Sequence, residues 1–189
     1  IDDVRRWLTE VGDALAYAHS RGVIHRDIKP DNILIDDIDG RALVTDFGIA
    51  RAVTEGGGDT ARLTATGMAI GTPAYMSPEQ ASGDRDLDAR SDLYSLGVVA
   101  YQMLVGEPPF IGNTTPALLV KHLAEMPVPV DQRRQDVPPD LTRIVMRLLE
   151  KAPEQRFQTA GEMVQAMKSG IVPQTPIPGL AHTFVQDAK

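Results

Sequence analysis

The chain has 189 residues, 42% hydrophobic and 24% charged, a balance that supports one sizeable buried core. Its 19 Lys and Arg against 26 Asp and Glu give a formal net charge of −7, which excludes a broadly basic surface for nucleic-acid phosphates or anionic lipid. There is no cysteine, so a disulfide scaffold, a thiolate-held metal and a cysteine nucleophile are excluded, and a reducing, cytoplasmic setting fits.

Val4, Trp7, Leu8, Val11, Leu15 and Ala18 recur at helical spacing and predict a helix over 3–20, with Asp2 or Asp3 as its cap and Gly22 beyond its end. Two short apolar pieces, Asn32–Ile35 and Ala42–Thr45, flank the polar turn Asp36–Gly40 and predict a small hairpin. From Gly48 to Pro78 no period holds, and a mobile loop is expected there. Ser91 precedes an almost wholly apolar helix from Asp92 to Val105, stopped by Gly106 and Pro108-Pro109 and expected to run through the core.

Thr115-Pro116 opens a further helix to Glu125, and a Pro-rich link from Met126 to Pro139 follows. Leu141, Ile144, Val145, Leu148 and Leu149 predict another amphipathic helix, and Thr159 with Glu162 forms a capping-box pattern for a last one ending near Gly170. Residues 169–189 read as a Pro-rich linker or tail. The apolar window at Leu93–Val105 is shorter than the roughly 20 residues that span a bilayer, and the chain opens at Ile1 without a leader, so no membrane contact and a missing upstream segment are expected.

The chemistry concentrates in His25-Arg26-Asp27-Ile28-Lys29-Pro30-Asp31-Asn32, between the first helix and the hairpin. An Asp that accepts a hydroxyl proton, a Lys two residues on that reaches a transferring phosphoryl group, and an Asn three further that ligates a metal are parts a phosphotransferase needs close together. Asp46-Phe47-Gly48 offers a second oxygen ligand, and the hard cation Mg²⁺ prefers such ligands and bridges phosphates. His19, His122 and His182 are read as surface or packing residues, with no zinc set among them.

With these residues the chain resembles the eukaryotic-type serine/threonine protein kinases, in particular their bacterial branch, over residues 1–168. The resemblance rests on HRDIKPDN at 25–32, DFG at 46–48, GTPAYMSPE at 71–79 and DLYSLG at 92–97, in the family's order and spacing. It implies the mainly α C-terminal lobe of the α+β protein kinase-like fold, with a short β-hairpin at the catalytic loop. It implies that Asp27 is the catalytic base, that Lys29 contacts the γ-phosphate of ATP and that Asn32 and Asp46 bind Mg²⁺. Thr72 is then expected to hydrogen-bond Asp27 and Lys29, and Leu34 to join Lys29, Asn32 and Asp46 in contacting the nucleotide.

Structural roles follow from the same resemblance. His25 and Phe47, ahead of Gly48, stack in the assembled site, Asp92 receives backbone N–H groups of the catalytic loop, and Glu79 pairs with Arg156. Arg26 and Arg51 resemble a basic pocket for a phosphorylated activation loop, whose expected phosphosites are Thr64 and Thr66, although Met68 stands where many eukaryotic members carry theirs.

Protein Ser and Thr hydroxyls are the implied substrates, and a second copy of the full-length protein is a further expected partner. A full-length bacterial member often adds a membrane anchor. No GxGxxG pattern occurs, so the family's small lobe is expected to be missing and the chain alone to be inactive. Two other readings stay open: a pseudokinase-like binding module that docks through Ala117–Glu125 and Thr72–Glu79, and a small-molecule phosphotransferase, which Lys29 and GTPAYMSPE argue against.

Overall fold

A computed structural model describes residues 1–47 and 73–173. Helix α1 spans Asp2–His19 and buries Leu8, Val11, Leu15 and Ala18, the stripe that its sequence periodicity marks. Asp2 and Asp3 lie inside its first turn and provide no side-chain cap. Their carboxylates act instead on the positive end of the helix dipole.

Strands β1 (Ile33–Ile35) and β2 (Ala42–Val44) form an antiparallel pair in the register Ile33↔Val44, Leu34↔Leu43 and Ile35↔Ala42. Each strand is one residue shorter than its apolar run, because Asn32 closes a 3-10 turn over Pro30–Asn32. The Thr45 N–H still reaches Asn32 O at 3.0 Å, so both strand ends stay tied beside the loop that joins α1 to β1. Two side chains of α1 hold the hairpin from the other side. Trp7 Nε1 donates to Gly40 O at 2.9 Å, and Glu10 Oε2 accepts from Ala42 N at 2.7 Å.

Helix α2 (Pro78–Ala81) is a short element that the aperiodic reading to Pro78 passes over. The central helix α3 runs from Ala89 to Val105 and is buried almost all round, through Leu93, Tyr94, Leu96, Val98, Val99, Ala100, Tyr101 and Leu104. It begins before the expected Asp92, because Asp88 is its cap and accepts from Arg90 N, whereas Ser91 lies inside the helix. It ends at Gly106 in the left-handed conformation, φ 93°, where only glycine is unstrained.

Helix α4 covers Thr115–Ala124 and is capped by Thr114 rather than Thr115. The expected link 126–139 contains a one-turn helix, α5 (Val130–Arg133), anchored by the fully buried Val130. Helix α6 is Pro139–Leu148. Helix α7 is Ala160–Ser169, where Thr159 Oγ1 accepts from Glu162 N while the Glu162 carboxylate reaches back to Gln158 N instead of the cap residue. α1 packs on α7 and β2, and α3 on α6. Most of the expected tail 169–189 lies outside the described residues.

Candidate active site

The loop between α1 and β1 carries His25, Asp27, Lys29 and Asn32, and its backbone is bonded to the start of α3. Asp92, 1% exposed, accepts the His25 N–H at 2.8 Å and the Arg26 N–H at 2.7 Å, one on each carboxylate oxygen. Arg26 is held at φ 69°, a left-handed conformation that costs a side-chain-bearing residue about 1–3 kcal/mol unless neighbouring bonds enforce it. His19, read from the sequence as a surface or packing residue, donates from Nε2 to Asp92 Oδ2 at 2.8 Å.

His25 is buried, and its two ring nitrogens have separate partners. Nε2 donates to Thr45 O at 2.7 Å and Nδ1 accepts the Asp27 N–H at 3.3 Å, which selects the neutral Nε2–H tautomer. Its ring meets Phe47 edge-to-face, with centroids 4.8 Å apart and planes at 63°. The expected stacking is therefore replaced by the arrangement the aromatic quadrupole favours. His25 thereby links its own loop to the turn after β2, where Asp46 sits at φ 62°. Asp tolerates that conformation better than most side chains.

Asp27 Oδ2 is bonded twice, by Lys29 Nζ at 2.8 Å and by Asn32 Nδ2 at 3.1 Å. The bond to Asp27 outweighs partial burial and raises the Lys29 pKa, so the ammonium is firmly charged. Asn32 Nδ2 also donates to Asp27 O at 2.7 Å, which fixes the amide orientation and leaves Oδ1 as its acceptor side. That oxygen and the exposed Asp46 carboxylate are both of the hard donor type that a cation such as Mg²⁺ prefers. Among the described residues there is no cluster of three or more His, Asp or Glu to hold a metal by itself. Leu34 is 52% exposed beside its cross-strand partner Leu43.

Glu79 and Arg156 are brought together from 77 residues apart. Arg156 is fully buried, and all five of its N–H groups have acceptors: both Glu79 carboxylate oxygens and the carbonyls of Arg90, Glu150 and Lys151, at 2.7–2.9 Å. Burial works to raise the Glu79 carboxyl, but the guanidinium outweighs it and holds the group below the usual carboxylate range. Ser91 Oγ donates to the same carboxylate at 2.7 Å. Arg26 is partly exposed, while Gly48, Arg51, Thr64, Thr66 and Thr72 lie outside the described residues.

Sequence reasoning passed over Gln80, whose amide reaches Arg26 O at 2.7 Å. The signal was present as Ser77-Pro78-Glu79-Gln80, a capping-box spacing with proline at the first helical position.

Asp27, Lys29 and Asn32 are thus bonded to one another in one loop, which is backed by a buried helix. The chain belongs to the protein kinase domain family, which it matches over residues 1–168. It is 46% identical over 166 residues to the serine/threonine-protein kinase PknB of Mycobacterium leprae, covering 86% of this chain and 26% of that protein. To PknB of Mycolicibacterium smegmatis it is 47% identical over 156 residues, covering 82% of this chain and 24% of that one. To PknA of Mycobacterium tuberculosis it is 42% identical over 181 residues, 92% of this chain and 40% of that protein. These relatives are bacterial serine/threonine-protein kinases, and the chain spans about a quarter of the length of the PknB relatives it matches. None of its described helices is long and apolar enough to cross a membrane.

Proposed function

We propose that this chain supplies the base, the metal ligands and the substrate-side surface of a kinase that moves the γ-phosphate of ATP to Ser and Thr hydroxyls of proteins. The observation that carries the reading is the state of the Asp27 carboxylate. Its Oδ2 is saturated by Lys29 and Asn32, while Oδ1 has no hydrogen-bond partner among the described residues and is left to accept the proton of an attacking hydroxyl. Lys29, held charged, then neutralises the transferring phosphoryl group, and Asn32 Oδ1 with Asp46 would hold Mg²⁺. When bound, the cation screens charge on the phosphate oxygens.

The finer parts of the proposal are autophosphorylation at Thr64 and Thr66, a phosphate pocket at Arg26 and Arg51, and contacts of Thr72 with Asp27 and of Leu34 with the nucleotide. By itself the chain is expected to transfer little phosphate, because its sequence contains no glycine-rich loop to cover the α- and β-phosphates.

The test is transfer of labelled γ-phosphate to a Ser/Thr protein by the full-length gene product, with Mg²⁺ present. Asp27→Asn is expected to reduce kcat by about 10³-fold or more, and Asp46→Asn to raise the Mg²⁺ requirement, with the fold retained by circular dichroism. Wild-type protein that binds ATP but transfers nothing would instead favour the binding-module reading.

A further inference from the structure

The peptide just before Asp27 carries the strain of the loop. Arg26, at φ 69°, has its N–H held by Asp92 from α3, and its carbonyl is held by a different element. Gln80 Nε2, from α2, donates to Arg26 O at 2.7 Å. The same side-chain amide closes the capping box of α2: Gln80 Oε1 accepts the Ser77 N–H at 2.9 Å, and Ser77 Oγ accepts the Gln80 N–H at 3.3 Å.

One amide group is therefore bonded at both ends, its oxygen to the N-terminus of α2 and its nitrogen to the strained catalytic loop. α2 itself is fixed to the core, since Glu79 is locked to Arg156 and Ser91. The Gln80 side chain makes the connection from the segment following the activation loop straight to the backbone that aims the base.

We infer that Gln80 is a positioning residue for phosphoryl transfer, clamping Arg26 O so that Asp27 keeps the orientation in which it receives the hydroxyl proton. The inference rests on Asp27 acting as the base. The clamp works through geometry: a carbonyl that loses its donor leaves its peptide plane held only at the other end, by the 3.3 Å bond from the Asp27 N–H to His25 Nδ1, and that plane can then tilt. Misplacement of a catalytic group by about 1 Å costs on the order of a hundredfold in rate, so a partial rotation has a measurable effect. The clamp also makes the base sensitive to the state of α2, because any shift of that turn is transmitted by a single side chain.

Gln80→Glu separates this role from helix capping. Glutamate at the same position keeps an acceptor for the Ser77 N–H and so preserves the box, but it removes the donor and sets a carboxylate oxygen against Arg26 O. In the full-length protein the expected result is a melting temperature lowered by a few degrees, no more than in Ser77→Ala, with kcat reduced by about tenfold or more and KM for ATP changed less than about twofold. The Asp27 and Arg26 amide resonances should shift in the same variant. Ser77→Ala, which breaks the other half of the box, should lower the melting temperature while keeping kcat within about twofold. Wild-type kcat and unshifted amides in Gln80→Glu would overturn the inference, as would a rate loss that only follows a loss of stability. If the wild-type protein transfers no phosphate, the reading of Asp27 as base has failed. The amide shifts then still decide whether Gln80 holds the loop.

Discussion

Arg156 shows what a single side chain does when every one of its donors is committed. Removing it strands the Glu79 carboxylate and leaves three backbone carbonyls without their donor, all within or beside the core. Arg156→Ala is expected to lose about 3–5 kcal/mol, read from urea unfolding at pH 7, because an uncompensated buried charge costs more than the pair contributes. Arg156→Lys should recover less than half of that, since an ammonium cannot present the planar fork that spans both Glu79 oxygens. A full recovery by lysine would show that charge alone, not the five-acceptor geometry, holds the pair. The Glu79 partner was legible in the sequence only through the family resemblance. The Arg90, Glu150 and Lys151 carbonyls were not, because backbone acceptors carry no residue signature. His19 was missed for a related reason: a histidine in the last turn of a helix looks like any surface histidine until Asp92 is folded against it.

At the scale of elements, close approach of two helices decides the outcome of two glycine substitutions. Gly97 lies in α3 where α6 begins to end, and a Cβ there would stand 2.7 Å from Leu148 Cβ and 3.3 Å from the Leu148 carbonyl carbon. Alanine gains about 0.5–1 kcal/mol of helix propensity over glycine. The neighbour is backbone and an inner side-chain atom, which cannot swing away, and overpacking of this kind costs about 1–3 kcal/mol. Gly97→Ala should therefore lower the urea midpoint with an unchanged m value. Gly12→Ala, which would press on the flexible end of Met163 and stand 2.7 Å from Cγ2 of the stiff Val164, should lower the midpoint as well. α1 and α6 were readable because their apolar residues repeat at 3.6, α3 because it is an almost unbroken apolar run stopped by Gly106, and α7 through the cap spacing of Thr159 and Glu162. The start of α3 was misjudged because Asp88 and Ser91 are both competent caps, and Ser91 is taken by Glu79. α2 and α5 are single turns, too short for any period, and only the cap spacing of Ser77 to Gln80 or the burial of Val130 reveals them.

For the molecule as a whole, mild acid works against the fold through His122. This histidine is fully buried on α4, edge-to-face with Phe110 and Tyr94, and Lys151 lies alongside, bonded to Tyr94 Oη at 3.2 Å and to the His122 carbonyl at 2.8 Å. With its ammonium donating to Tyr94 Oη, the tyrosine hydroxyl is left to donate to His122 Nδ1 at 3.1 Å, the nitrogen that would have to take up the proton. Burial first, and the Lys151 charge second, push His122 down to about 4 from its ordinary 6.5. Lys151 is itself pulled down by burial and by Arg156 to about 8, so it is still charged wherever His122 titrates. Between about pH 6.5 and 4 the unfolded chain binds a proton at this position that the folded chain refuses, so stability falls as pH falls through that window. The loss due to His122 should be about 1–2 kcal/mol at pH 5 relative to pH 7, measured as the change in urea unfolding free energy. His122→Phe fills the same aromatic pocket without a titrating group, and its stability should change less between the two pH values than that of wild type by that amount. Equal pH dependence in the two proteins would show that the Tyr94–His122–Lys151 cluster is proton-tolerant. Carboxylates such as Glu79 would not account for a loss between pH 7 and 5, because their stabilising contribution disappears only as the pH falls below the ordinary carboxylate range.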